Sequence, residues 1–179
     1  HGGNRIVRVG THNGANQLDS RLRQHFVNEN KDRSIFRKNI GRALLHKAND
    51  PFLEQWEWDL TSRKAKELYL PMLDKNKQRT VERQVSEYIQ RNFSFVVLPV
   101  EGKKERLAWK QKIISTLSWC EECGPSYDWL GRYSPKQKIR ESGLWLVNGL
   151  YKEPLFHNEL KMIEKKLMQK FQRIADTTS

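Results

Sequence analysis

Arg21 and His25 stand one helical turn apart in Leu18-Asp19-Ser20-Arg21-Leu22-Arg23-Gln24-His25-Phe26, where Leu18, Leu22 and Phe26 recur at every fourth position. That period predicts an amphipathic helix with Arg21 and His25 sharing the face beside the apolar one. A guanidinium presents a planar fork of donors to a phosphate, and an imidazole donates to oxygen or exchanges a proton near neutral pH. Together the two side chains suit a grip on a phosphodiester. The same spacing also describes the solvent face of an ordinary surface helix, the commoner origin of such a pattern.

The elements that would position this pair can be read around it. Ile6, Val7 and Val9 are β-branched and run into Gly10, as in a strand ending where the backbone turns or approaches something closely. Asn13-Gly14 predicts the turn that leads into the helix. Asp32 to His46 predicts a second helix with Ile40, Ala43 and Leu44 on its apolar face, broken at Asn49-Asp50-Pro51. Arg79 to Gln90 suits either a short helix or a strand entering the sheet. Phe93-Ser94-Phe95-Val96-Val97-Leu98-Pro99-Val100 is apolar almost throughout, the pattern of a central strand covered on both faces. Glu105 to Trp119 follows as a helix. Ser134-Pro135 is a helix start, with serine as N-cap and proline at the first position, giving a short helix over Lys136 to Glu141 that ends near Gly143. A final helix, roughly Pro154 to Ala175, spaces Leu160, Ile163, Leu167 and Phe171 to pack back on the core.

The order of strand, Arg8-Val9-Gly10-Thr11, short loop and Arg21-x-x-x-His25-Phe26 resembles the second half of the GIY-YIG nuclease signature, with Arg8-Val9-Gly10 in the place of Y-I-G. More specific blocks follow: Asp32-Arg33-Ser34-Ile35-Phe36-Arg37 with Gly41, Glu82-Arg83-Gln84-Val85-Ser86, Trp129-Leu130-Gly131 and Ser142-Gly143-Leu144-Trp145 with Asn148. These are similar to a bacterial subgroup of GIY-YIG-like proteins and span nearly the whole chain. The resemblance implies an α/β (α+β) fold, a small mixed or antiparallel central sheet flanked by helices, over residues 1–150. Residues 151–179 would be a helical C-terminal extension, and residues of about 50–75 an insertion. It also implies a DNA endonuclease that hydrolyses phosphodiester bonds with a divalent metal, Mg²⁺ or Mn²⁺. Arg21 would contact the scissile phosphate.

Three positions depart from that pattern. Only His1 to Asn4 precede Arg5, so the first strand of the family's hairpin is expected to be missing. Arg8 replaces the tyrosine of Y-I-G, which leaves His12 or His25 to orient or deprotonate water. Lys110 falls where the family carries its metal-binding glutamate, and an ammonium cannot ligate an ion that demands hard anionic oxygens. Glu105, five residues earlier, lies about 140° away around the helix, and Glu82 is the fallback carboxylate. The expectation is an endonuclease site that is slow or silent because of Lys110. Two alternatives stay open: a non-catalytic basic DNA-binding module, and a component of a bacterial defence system that binds a protein partner through the segment around Trp56 and Trp58.

Composition points the same way. Lys plus Arg number 33 against 21 Asp plus Glu, a net charge of +12 on 179 residues. Such an excess attracts polyanions in a salt-dependent manner. Arg23, Arg33, Arg37, Lys103 and Lys104 are the expected contacts to nucleic acid. Glu54, Glu57, Asp59 and Glu67 are read as exposed helix charge, and Trp129 and Trp145 as core residues before base-stacking ones. No run reaches the ~20 apolar residues of a membrane span, so a soluble, cytoplasmic protein is expected, with homodimerisation open. Cys120 and Cys123 supply two of the four ligands a structural zinc needs and are read as reduced thiols.

Overall fold

The computed structural model describes residues 4–12, 14 and 17–177. Its helices are α1 (Leu18–Phe26), α2 (Ile35–Lys47), α3 (Leu53–Glu57), α4 (Arg63–Tyr69), α5 (Lys75–Asn92), α6 (Lys103–Trp119), α7 (Gln137–Ser142) and α8 (His157–Thr177), with 3₁₀ turns at Lys31–Arg33 and Leu130–Tyr133. Asn13, and the side chain of Phe171 expected on the last helix, fall outside the described residues.

The expected central sheet is absent: the chain is 58% helix and the described residues contain no strand. A strand is stabilised by its ladder and by neighbours on its faces, and apolar content alone supplies neither. Residues 5–10 form no regular element, and their backbone bond to another segment is that from the Trp145 N–H to the Val7 carbonyl, 2.8 Å. Residues 93–100 leave Phe95 56% and Val96 69% exposed, so this run is not a strand covered on both faces. Gly10 is not a point of close approach either, since a Cβ there would meet nothing within 4 Å. The Arg79–Gln90 stretch belongs to the 18-residue α5, capped by Asp74, whose side chain accepts from the Lys77 N–H.

Helix α2 organises the core. Its Phe36, Ile40 and Ala43 are buried against Val81, Val85 and Ile89 of α5, which recur every fourth residue and so form one stripe. Trp56, fully buried, crosses α2 at Gly41, where a Cβ would sit 2.2 Å from Trp56 Cζ2. Its indole N–H donates to the Lys38 carbonyl at 3.0 Å. Trp58 stacks on Tyr69 at 4.8 Å, so both tryptophans of the 50–75 segment are engaged in packing. Trp129 and Trp145 are also buried, edge to face at 5.3 Å.

Within this core lies a polar knot. Arg37, 0% exposed, donates from Nε (3.1 Å) and Nη2 (2.8 Å) to Glu82 Oε2, from Nη2 to the Glu82 carbonyl (2.9 Å) and Ser86 Oγ (2.9 Å), and from Nη1 to the His25 carbonyl (3.3 Å). Glu82 Oε1 accepts from the Lys31 backbone N–H. Burial pushes the Glu82 carboxyl up, while Arg37 and the Lys31 N–H pull it the other way. Two of the blocks that carry the family resemblance therefore meet in the interior.

Helix α6 stands apart from this core and supports the C-terminal residues. Lys112 pairs with Glu159 of α8 at 2.7 Å and lies over Phe156 at 5.0 Å. Gln111 donates to the Gly149 carbonyl at 2.8 Å. Helix α7 ends at Gly143, whose φ of 64° is the left-handed conformation a glycine C-cap supplies. Its start lies one residue later than expected, with Lys136 rather than Ser134 as the capping position.

Candidate anion-binding centre

The extended segment brings Arg8 onto α2, where its guanidinium carbon sits 4.9 Å from the centre of the Phe36 ring. Arg8 Nη1 is sealed from solvent without a hydrogen-bond partner. Burial lowers the Arg8 pKa to about 10, helped by the charge of Arg21. Arg21, from α1, gives one bond from Nη1 to Gln24 Oε1, 2.6 Å, which fixes the guanidinium. Lys110, from α6, completes the group: burial lowers its pKa, followed by the charges of Arg8 and then Arg21. The charge of Arg21 thus opposes both Arg8 and Lys110, and no carboxylate is among the groups acting on those two.

Two histidines flank the cations. His25 Nδ1 lies 2.7 Å from the hydroxyl of buried Ser34, which also accepts the Arg37 N–H and can either donate to Nδ1 or accept from it. Burial, then Arg8, Arg21 and Arg37, hold the His25 pKa down at about 3, so this imidazole is neutral near pH 7 and a weak base. His12 Nδ1 faces the Gly14 carbonyl at 2.7 Å. A carbonyl only accepts, so Nδ1 carries the proton and Nε2 keeps its lone pair. His12 lines a cavity of about 510 Å³ with Thr11, Gly14, Gln17 and Arg21. A larger cleft, about 770 Å³, opens beside the start of α5 and holds none of the expected site residues except Glu82.

The remaining candidates separate. Arg23 is exposed and paired with Asp19 at 2.9 Å. Arg33, Lys103 and Lys104 are exposed, the lysines in the first turn of α6. Arg37 is in the core, bonded to Glu82, and presents no surface to a backbone phosphate. Ser34, Gln24 and Phe36 carry no sign of a site role in their sequence context; Ser34, placed inside a helix expected from Asp32, is instead the N-cap of α2, which starts at Ile35.

A divalent metal does not fit this centre. Its donor set is two guanidiniums, an ammonium and a neutral imidazole whose Nδ1 is engaged, all of which repel or ignore a hard cation. Glu82, the fallback carboxylate, has its oxygens taken by Arg37 and Lys31, and Glu105 is exposed and bonded to the Trp109 indole at 3.1 Å. No cluster of three His, Cys, Asp or Glu suited to a metal occurs among the described residues. Cys120 and Cys123 are free thiols; the hydrogen bond from Cys120 raises the Cys123 pKa.

Fold and site together define a basic, largely helical protein in which Arg8, Arg21 and Lys110 feel one another's charge. Residues 1–172 match the family model described as the GIY-YIG domain, and the chain belongs to the GIY-YIG nuclease superfamily. Comparison with curated proteins and with solved structures gave no match. Among the described residues, no helix is long and apolar enough to cross a membrane.

Proposed function

We propose that this GIY-YIG domain binds DNA through a backbone phosphate held by Arg8, Arg21 and Lys110, and that its hydrolytic step is silent because Lys110 stands where a metal carboxylate would be needed. The observation that carries this reading is the uncompensated cation group around the sealed, partnerless Arg8 Nη1. A phosphate beside these side chains would offset their mutual repulsion. Arg23, Arg33, Lys103 and Lys104 would add screened contacts along the backbone. If hydrolysis is restored, His12 Nε2 is the atom able to take a proton from water, whereas His25, its pKa held at about 3, is a poor base.

Plasmid nicking tests this in Mg²⁺ and in Mn²⁺ with the unchanged chain, Lys110→Glu, and Lys110→Glu combined with Arg21→Ala. The unchanged chain should retain DNA in low salt, with or without a chelator, and leave it uncut. Lys110→Glu should cut, and the double variant should not. Metal-dependent cutting by the unchanged chain would overturn the silent-site reading, and absence of salt-sensitive DNA retention would overturn the binding itself.

A further inference from the structure

We infer that the face formed by the Leu130–Tyr133 turn, α7 and the end of α2 is a second nucleic-acid contact, which holds phosphodiester groups through Lys47, Arg132, Lys136, Lys138 and Arg140 without reading bases. This face lies outside the site described above: none of its residues lines the cavity at His12 and Arg21.

Residues 132–140 place four cations in nine positions with no carboxylate. All four are exposed, while Ser134 and Ile139 between them are fully buried and tie the stretch to the core. The turn packs on α2, and α7 packs on the turn. Lys47, the last residue of α2, completes the face, its Nζ lying 4.8 Å from the centre of the Tyr133 ring. Lys136 and Arg140 are four residues apart and so share one side of the helical turn.

Partners separate these cations from the arginines of the core. Arg140 donates from Nη1 to the Ser134 carbonyl at 2.6 Å. Arg132 donates from Nε to the Ser126 carbonyl at 3.1 Å and from Nη2 to the Pro125 carbonyl at 3.2 Å. A carbonyl fixes the direction of a guanidinium and leaves its charge in place. None of the five cations pairs with a carboxylate among the described residues. Glu57 feels the charge of Lys136, but Arg42 holds both its oxygens at 2.5 Å. What the face lacks decides which anion it suits. Tyr133 is its one large apolar side chain exposed to solvent, and Lys47 lies over that ring. The face therefore has no apolar centre of the kind that a protein interface buries or a membrane-binding helix inserts. Repeated single charges suit a nucleic-acid backbone.

The test is the salt dependence of binding of the full chain to a labelled duplex and to a labelled single strand of the same sequence, followed by fluorescence anisotropy. Lys136→Ala combined with Lys138→Ala should lower the slope of log affinity against log salt by about 1.8 on the duplex or about 1.4 on the single strand. The form that shows the loss identifies the backbone held. Removing the same two charges from exposed α4, by Lys64→Ala with Lys66→Ala, should leave the slope unchanged. A slope equal to that of the α4 variant on both forms would overturn this inference, and a loss with Arg21→Ala in the same experiment would leave the first site standing. A loss in the Lys136 and Lys138 variant with none in Arg21→Ala would support this face and overturn that site. Competition by poly-glutamate as strong as that of unlabelled DNA at equal charge would overturn the inference in favour of an acidic protein partner.

Discussion

Two arginines, Arg37 and Arg8, show what separates a structural cation from a functional one. Arg37 is fully buried and has carboxylate, carbonyl and hydroxyl partners for its donors. Arg8 is partly buried with an unpartnered Nη1 and with two other cations as electrostatic neighbours. The first arrangement is complete within the chain; the second is completed only by something anionic from outside. Burial of a charge therefore identifies neither role, and the partner list decides.

The comparison is broken most severely by Glu82→Ala, which strands Arg37 in the core. Removing one partner of a buried ion pair costs roughly 3–5 kcal/mol, and here the Lys31 N–H loses its acceptor as well. Chemical denaturation should show a loss of that size, with nucleic-acid affinity falling only in proportion to unfolding. An unchanged midpoint would mean that the Arg37 network does not hold α2 to α5.

Arg8→Met should go the other way. It removes an unsatisfied buried donor and a charge opposed by Arg21, keeps an extended side chain over Phe36, and gives up a cation–π contact. The balance is a gain of roughly 1 kcal/mol in folding stability, with weaker retention of nucleic acid. Such a trade is the mark of a site held against the fold's own preference. A destabilised variant that still bound DNA normally would move Arg8 into the same class as Arg37.

The positions behind this contrast differ in how visible they were. Arg21 and His25 could be paired from the helical period alone, because one element carries both. Lys110 was visible only through its place in the family pattern. Its approach to Arg8 and Arg21 depends on how α6 is set against the extended segment, which no local pattern records. Arg37 looked like a phosphate contact because the partner that neutralises it, Glu82, is 45 residues away. The sheet was misread for a related reason: the apolar run at residues 93–100 has the composition of a central strand, but pairing is decided by other segments, and Phe95 and Val96 remain exposed. The helices of the core, α2 and α5, carried enough periodic burial and capping to be anticipated in part, whereas α5 extended well past the stretch that suggested it.

His25 sits between the two regions, its carbonyl taken by Arg37 and its ring influenced by Arg8 and Arg21, so its titration reads both at once. Its folded pKa is about 3, against about 6.5 for an unfolded histidine. Above the unfolded value both states are neutral and the stabilising preference for the neutral ring is fully present. As pH falls from about 6.5 towards 3, the unfolded chain takes up a proton that the folded chain refuses, so stability declines across that window and levels below it. Carboxylates titrate in its lower part, which makes the interval from about pH 6.5 to 5 the informative one. Denaturation midpoints of the unchanged chain and of His25→Gln, compared over that interval, should converge as pH falls, because only the histidine loses stability by this route. Parallel curves would mean that His25 takes up its proton as readily in the folded chain as in the unfolded one.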